Sequence, residues 1–61
     1  MDPKKIKAAI TLGDSYLKDG KYDDAIKACQ EGLNLDPSNP DLLDRMQRAK
    51  KAQAAEESIL H

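Results

Sequence analysis

Apolar residues along this chain fall into three stripes at helical spacing, separated by two breaks. Ile6, Ala9, Ile10, Leu12, Gly13, Tyr16 and Leu17 recur three and four residues apart, which places them on one face of a first helix. Lys4, Lys5, Lys7, Asp14 and Lys18 fall mostly off that face. Asp2 can accept hydrogen bonds from the first free backbone N–H groups, and Pro3 suits the first helical position because it has no N–H to leave unpaired. The helix should cover about residues 3–19, with Gly20 closing it in the left-handed conformation that glycine tolerates.

A second stripe, Tyr22, Ala25, Ile26, Ala28, Cys29 and Leu33, predicts a helix over about residues 22–35. Asp23 and Asp24 lie in its first turn, where negative charge meets the positive end of the helix dipole. The link Lys18-Asp19-Gly20-Lys21 is short, so the two helices should form an antiparallel hairpin. Asp36-Pro37-Ser38-Asn39-Pro40 then stops one helix and starts another, with Asn39 as cap and Pro40 in the first turn. A third helix is expected over about residues 40–59, carrying Leu42, Leu43, Met46, Ala49 and Ala52 or Gln53. Its stripe weakens to Ala and Glu before Ile59 and Leu60. Glu56 and Glu57 oppose the dipole there, so the end is expected to fray.

Composition supports an all-α chain. Val, Phe and Trp are absent, and the Ala, Leu, Lys, Gln and Glu that dominate are helix formers. At 61 residues the chain is one domain, 1–61, of a size that buries only about 60% of its unfolded surface.

The stretch Ala9-x2-Leu12-Gly13-x2-Tyr16, Gly20-x-Tyr22-x2-Ala25-Ile26, Cys29, Gly32, Leu33-x-Leu35-Asp36-Pro37 resembles a tetratricopeptide repeat (TPR), a helical hairpin of about 34 residues. The resemblance extends more loosely over 6–39. Leu12, Gly13, Tyr16, Ala25 and Pro37 hold the family's residues, while Ala9, Cys29 and Gly32 are smaller than its Trp, Phe and Ala. Gly13 against Ala25 is expected to allow the close approach, with Leu12, Tyr16 and Ile26 filling the space beside it. The three small residues suggest a lightly packed hairpin.

Asp2-Pro3 recurs as Asp36-Pro37, and Ala8, Ala9 and Leu12 then meet Leu42, Leu43 and Met46. Gly13, Tyr16 and Gly20 instead meet Gln47, Lys50 and Ala54, so the third helix resembles the closing helix of such an array. Asp2-Pro3 likewise resembles the tail of a preceding repeat. The implied architecture is one hairpin plus a capping helix, of the α-α superhelix type.

The resemblance implies a protein-interaction scaffold whose partner is a protein or peptide. The groove side would carry Lys7, Ile10, Asp14, Leu17 and Lys18 from the first helix, with Asp41, Arg45 and Arg48 from the third. Some family members grip an acidic chaperone tail with Lys and Asn at the places held here by Ile10 and Asp14, and Asp14 would repel a carboxylate. A second expectation is self-association as a homodimer. The uncovered first helix, with Ile6, Ala8, Thr11 and Leu12 towards water, or exchange of the third helix, would mediate it.

Other functions lack their residues. Ten basic and eleven acidic side chains give a net charge of −1, which does not call for nucleic acid or an anionic membrane. Arg45, Arg48, Lys50 and Lys51 are interleaved with acids and read as a solvated face. The single Cys offers no disulfide and no second thiolate for a metal; it fits a reducing compartment such as the cytoplasm. Cys29 lies on the inner stripe, and the single His is the terminal His61, so no nucleophile–base pair is expected and the chain is not read as an enzyme. No cofactor motif is present. Tyr16 and Tyr22 are expected in the core rather than stacked on a ligand. No apolar run approaches the roughly 20 residues that span a bilayer. Met1-Asp2-Pro3-Lys4-Lys5 leads into a mixed segment, which is not a signal-peptide pattern.

Overall fold

A computed structural model describes residues 2–60, and His61 with its expected fraying lies outside them. Three helices follow one another: α1 (Pro3–Lys18), α2 (Tyr22–Leu35) and α3 (Pro40–Leu60). No strand occurs among the described residues.

Each break has a local cause. The Asp2 carboxylate accepts from the N–H groups of Lys4 at 3.0 Å and Lys5 at 3.4 Å, and so caps α1. At the other end Gly20 adopts φ +74°, while Lys21 N–H donates to the Tyr16 carbonyl at 2.8 Å and Gly20 N–H to that of Leu17 at 3.2 Å. This paired arrangement is the Schellman ending, which needs a left-handed residue at the glycine position. Asn39 caps α3: its side-chain oxygen accepts from Leu42 N–H at 3.1 Å, and its amide is held by Asp36 at 3.2 Å. α3 remains helical to Leu60.

Helix directions follow from the close contacts. A Cβ placed on Gly13 would lie 3.1 Å from Cys29 Sγ, and one on Gly32 would lie 2.9 Å from Ala9 Cβ. Advancing along α1 therefore means retreating along α2, so the two are antiparallel. Gly32 also meets Leu42, and Gln53 donates to Asp23, which makes α3 antiparallel to α2 and roughly codirectional with α1.

The core lies where the three helices converge. Ile6, Ala9, Cys29, Leu33, Leu42 and Met46 form it, with Ile10 and Ile26 packed against its edge. Ala25, Cys29, Leu42 and Ala49 are fully buried. Several positions differ from the expected pattern. The residue opposite Gly13 is Cys29, not Ala25, because the helices cross with Gly13 facing the thiol. Leu12 and Leu43 point outward at 48% and 42% exposure rather than filling the core. Ile6, expected at the open side, is buried at 7%. Tyr16 and Tyr22 are half-buried and stand outside the core cluster.

The small residues do not loosen the hairpin. A methyl on Gly32 would stand 2.7 Å from Leu42 Cδ1 as well as 2.9 Å from Ala9 Cβ. Ala9 and Gly32 let α1 and α2 close on each other, and Leu42 from α3 fills what remains. Smallness here gives proximity, and the third helix completes the packing.

Candidate binding groove

Beside this core α1 and α3 run past each other without full contact. A groove of about 730 Å³ opens between them, lined by Thr11, Asp14, Ser15, Leu17 and Lys18 of α1 and by Arg48 and Ala52 of α3, with Tyr22 at the start of α2. Helical spacing explains the α1 set: Thr11, Asp14, Ser15 and Lys18 are three and four residues apart and so share a flank.

The groove's charges are mostly answered within the chain. Arg45 Nε donates to Asp14 Oδ1 at 2.9 Å and Nη2 reaches Asp14 Oδ2 at 3.5 Å, a two-point contact joining α3 to α1. Arg45 Nη1 also reaches the Asp41 carboxylate and carbonyl, each at 3.3 Å, and lies 3.9 Å from Asp44. Arg48 pairs with Asp44 at 3.2 Å. The hydrogen bond to Asp14 is the largest cause holding the Arg45 guanidinium above its usual pKa. Asp14 thus meets its own cation, and the repulsion of a carboxylate expected from it alone is offset.

Asp14, Leu17, Lys18 and Arg48 come together in the groove. Arg45 stands at its edge as the partner of Asp14. Lys7 and Ile10 do not line it: Lys7 is exposed, its carbonyl accepting the Thr11 hydroxyl at 3.0 Å, and Ile10 is half-buried against the core. Thr11, Tyr22 and Ala52 are lining residues that the sequence pattern placed elsewhere, and Ser15 lay in none of its stripes. Periodicity could have found Thr11 and Ser15, which flank Asp14 on one helix. Tyr22 depends on where the turn at Gly20 delivers it, and no pattern within one helix records that.

Cys29 is fully buried, and burial pushes its thiol pKa up; nearby Arg45 lowers it and Asp14 raises it. A protonated, enclosed thiol is a packing group. Among the described residues no group of three or more His, Cys, Asp or Glu is arranged to hold a metal ion.

An antiparallel helical hairpin with small residues at its crossing, followed by a codirectional third helix and a groove between first and third, is the geometry of an α-helical repeat unit. Residues 6–39 match the tetratricopeptide repeat family, and the chain belongs to that family. It is 38% identical over 58 residues to Small glutamine-rich tetratricopeptide repeat-containing protein 2 of Mycosarcoma maydis, a span of 95% of this chain. The chain covers 16% of that relative's length. No solved structure matches the chain significantly.

Proposed function

We propose that this chain is a protein–protein interaction module that holds a peptide segment of a partner in the groove between α1 and α3. The family to which it belongs consists generally of such modules. The observation that carries the reading is the groove itself, where the aliphatic Leu17 and Ala52, the aromatic Tyr22 and the hydroxyls of Thr11 and Ser15 converge beside Lys18 and Arg48. That mixture offers apolar area for affinity and directional groups for register. Lys7, Ile10 and Arg45 act from outside the groove, Ile10 by supporting α1 and Arg45 by fixing Asp14. No catalytic role is proposed, since the one thiol is buried and protonated. Nor is a nucleic acid the proposed partner, because Arg45 and Arg48 are already engaged by Asp14, Asp41 and Asp44. Among the described residues no helix is long and apolar enough to cross a membrane.

Selection from a displayed random-peptide library, followed by amide chemical-shift mapping of an enriched peptide, tests the reading. Shifts clustered around Lys18, Tyr22, Arg48 and Ala52 support it. Shifts confined to the opposite face of the hairpin refute it.

A second reading is self-association as a homodimer. Its support is the exposure of Leu12 and Leu35, 48% and 44%, on the face of the hairpin turned away from the groove.

A further inference from the structure

The mouth of the groove holds as many cations as carboxylates. Lys18, Arg45 and Arg48 stand against Asp14, Asp41 and Asp44. Both arginines are already in use. Arg45 donates to Asp14 at two points, 2.9 and 3.5 Å, as it would to the carboxylate of a ligand. Arg48 pairs with Asp44 at 3.2 Å. On α1 the situation is the reverse. Arg45 fills two of the about four acceptor positions that a carboxylate such as Asp14 offers, so others remain. The Thr11 hydroxyl, one turn away, donates to the Lys7 carbonyl at 3.0 Å and leaves only its lone pairs for a ligand. The α1 wall therefore presents acceptors, while the arginine donors of α3 are engaged.

We propose that Asp14 is a built-in occupant of Arg45 and so sets the specificity of the groove: the segment held there is uncharged at the level of Asp14 and donates to the α1 wall through an Asn or Gln amide. The proposal rests on the groove reading and names the chemistry of its ligand. An acidic side chain at that level would have to displace Asp14 from Arg45 or lie beside the pair unanswered. A basic one would meet Arg45, with Lys18 and Arg48 one turn further along. Either charge leaves water for a place without a free counter-charge, which lowers its affinity against that of a neutral rival. An amide gives an N–H to Asp14 or Thr11 and brings no net charge to desolvate. Leu17, Tyr22 and Ala52 then take the apolar part of the same segment.

Selection from a displayed random-peptide library on the wild-type chain, on Asp14→Asn and on Arg45→Gln is the test, read from the charge of the enriched peptides. The wild-type pool should be poor in acidic and basic residues and enriched in Asn and Gln. Asp14→Asn leaves one cation in excess at the mouth, and its pool should gain Asp and Glu. Arg45→Gln leaves one carboxylate in excess, and its pool should gain Lys and Arg. A pair that served stability alone would not move the two pools in opposite directions. With one wild-type peptide, exchanging its Gln or Asn for Glu should weaken binding about two- to fivefold, the range for an exposed charge contact, and the penalty should vanish on Asp14→Asn. That variant carries the test if Arg45→Gln fails to fold, because Asp14 is exposed. A wild-type pool rich in charged residues of either sign, or one charge composition for all three proteins, overturns this inference alone if chemical shifts still cluster around Lys18, Tyr22, Arg48 and Ala52. Shifts confined to the opposite face of the hairpin overturn the groove reading and this inference with it.

Discussion

Arg45 on α3 grips Asp14 on α1 through two of its nitrogens, at 2.9 and 3.5 Å, across the mouth of the groove. The pair is unequal. Arg45 has Asp41 and Asp44 in reach besides Asp14, whereas Arg45 is the only ion-pair partner of Asp14 among the described residues. Removing the cation leaves three carboxylates near one another. Removing Asp14 leaves Arg45 still paired.

Arg45→Gln should therefore destabilise the chain more than Asp14→Asn. Both groups are partly exposed, so the coupling between them should fall at about 1 kcal/mol or less, the upper end for a two-point surface pair. Urea titration of the two variants and their combination measures it. The difference between the single variants should shrink in high salt.

The three glycines should respond to alanine in three ways. At Gly32 the new methyl meets Leu42 and Ala9 at under 3 Å, and the Ala9 contact has no flexible end to swing aside. Overpacking of about 1–3 kcal/mol should exceed the roughly 1 kcal/mol of helix propensity gained. At Gly13 the methyl stands 3.1 Å from a single thiol that can shift by a few tenths of an ångström, so Gly13→Ala should be near neutral. At Gly20 nothing crowds the position, yet φ is +74°, and alanine should cost about 1–2 kcal/mol in backbone strain. Thermal unfolding of the three variants ranks them.

Leu42 is fully buried where all three helices meet. Leu42→Ala should cost about 2–5 kcal/mol, enough to unfold a small domain in large part. Leu43→Ala, one residue on at 42% exposure, should cost far less. Circular dichroism separates them, because loss of the Leu42 contact releases α3 from the hairpin.

Cys29 should resist thiol reagents until the fold opens, since its thiol is enclosed and burial raises its pKa. The sign of the linked stability follows. The folded chain keeps the thiol protonated to higher pH than the unfolded chain, so stability is fully present below the unfolded thiol's pKa. It is lost as pH rises from there through the folded value. Labelling with a chromogenic disulfide should track the opening rate, and Cys29→Ala should remove this alkaline component of the unfolding curve.

Much of this fold was legible along the chain. Pro3, Gly20, Pro37 and Pro40 mark helix ends because their effects are confined to their own backbone, and helical spacing of apolar residues needs only one helix to be read. The family resemblance was carried by Leu12, Gly13, Tyr16, Ala25 and Pro37, and residues 6–39 match that family. What faces what was not legible. A stripe identifies a face of a helix about a third of its circumference wide, and the edges of that face belong to core or solvent according to the neighbouring helix. Leu12 and Leu43 lie at such edges and turned outward, while Ile6 turned inward. Along the chain the small residues at Ala9 and Gly32 suggest light packing, whereas in the fold they bring α1 and α2 together around Leu42, because the volume left between two helices is fixed by their crossing and not by either sequence alone. The charge of Asp14 likewise changed meaning once α3 brought Arg45 to it. Three helices, their ends and their family rest on local backbone chemistry and periodicity, and so can be read along the chain. The residues opposite Gly13 and Gly32 and those lining the groove depend on distances between segments far apart along the chain, and the assembled helices settle them.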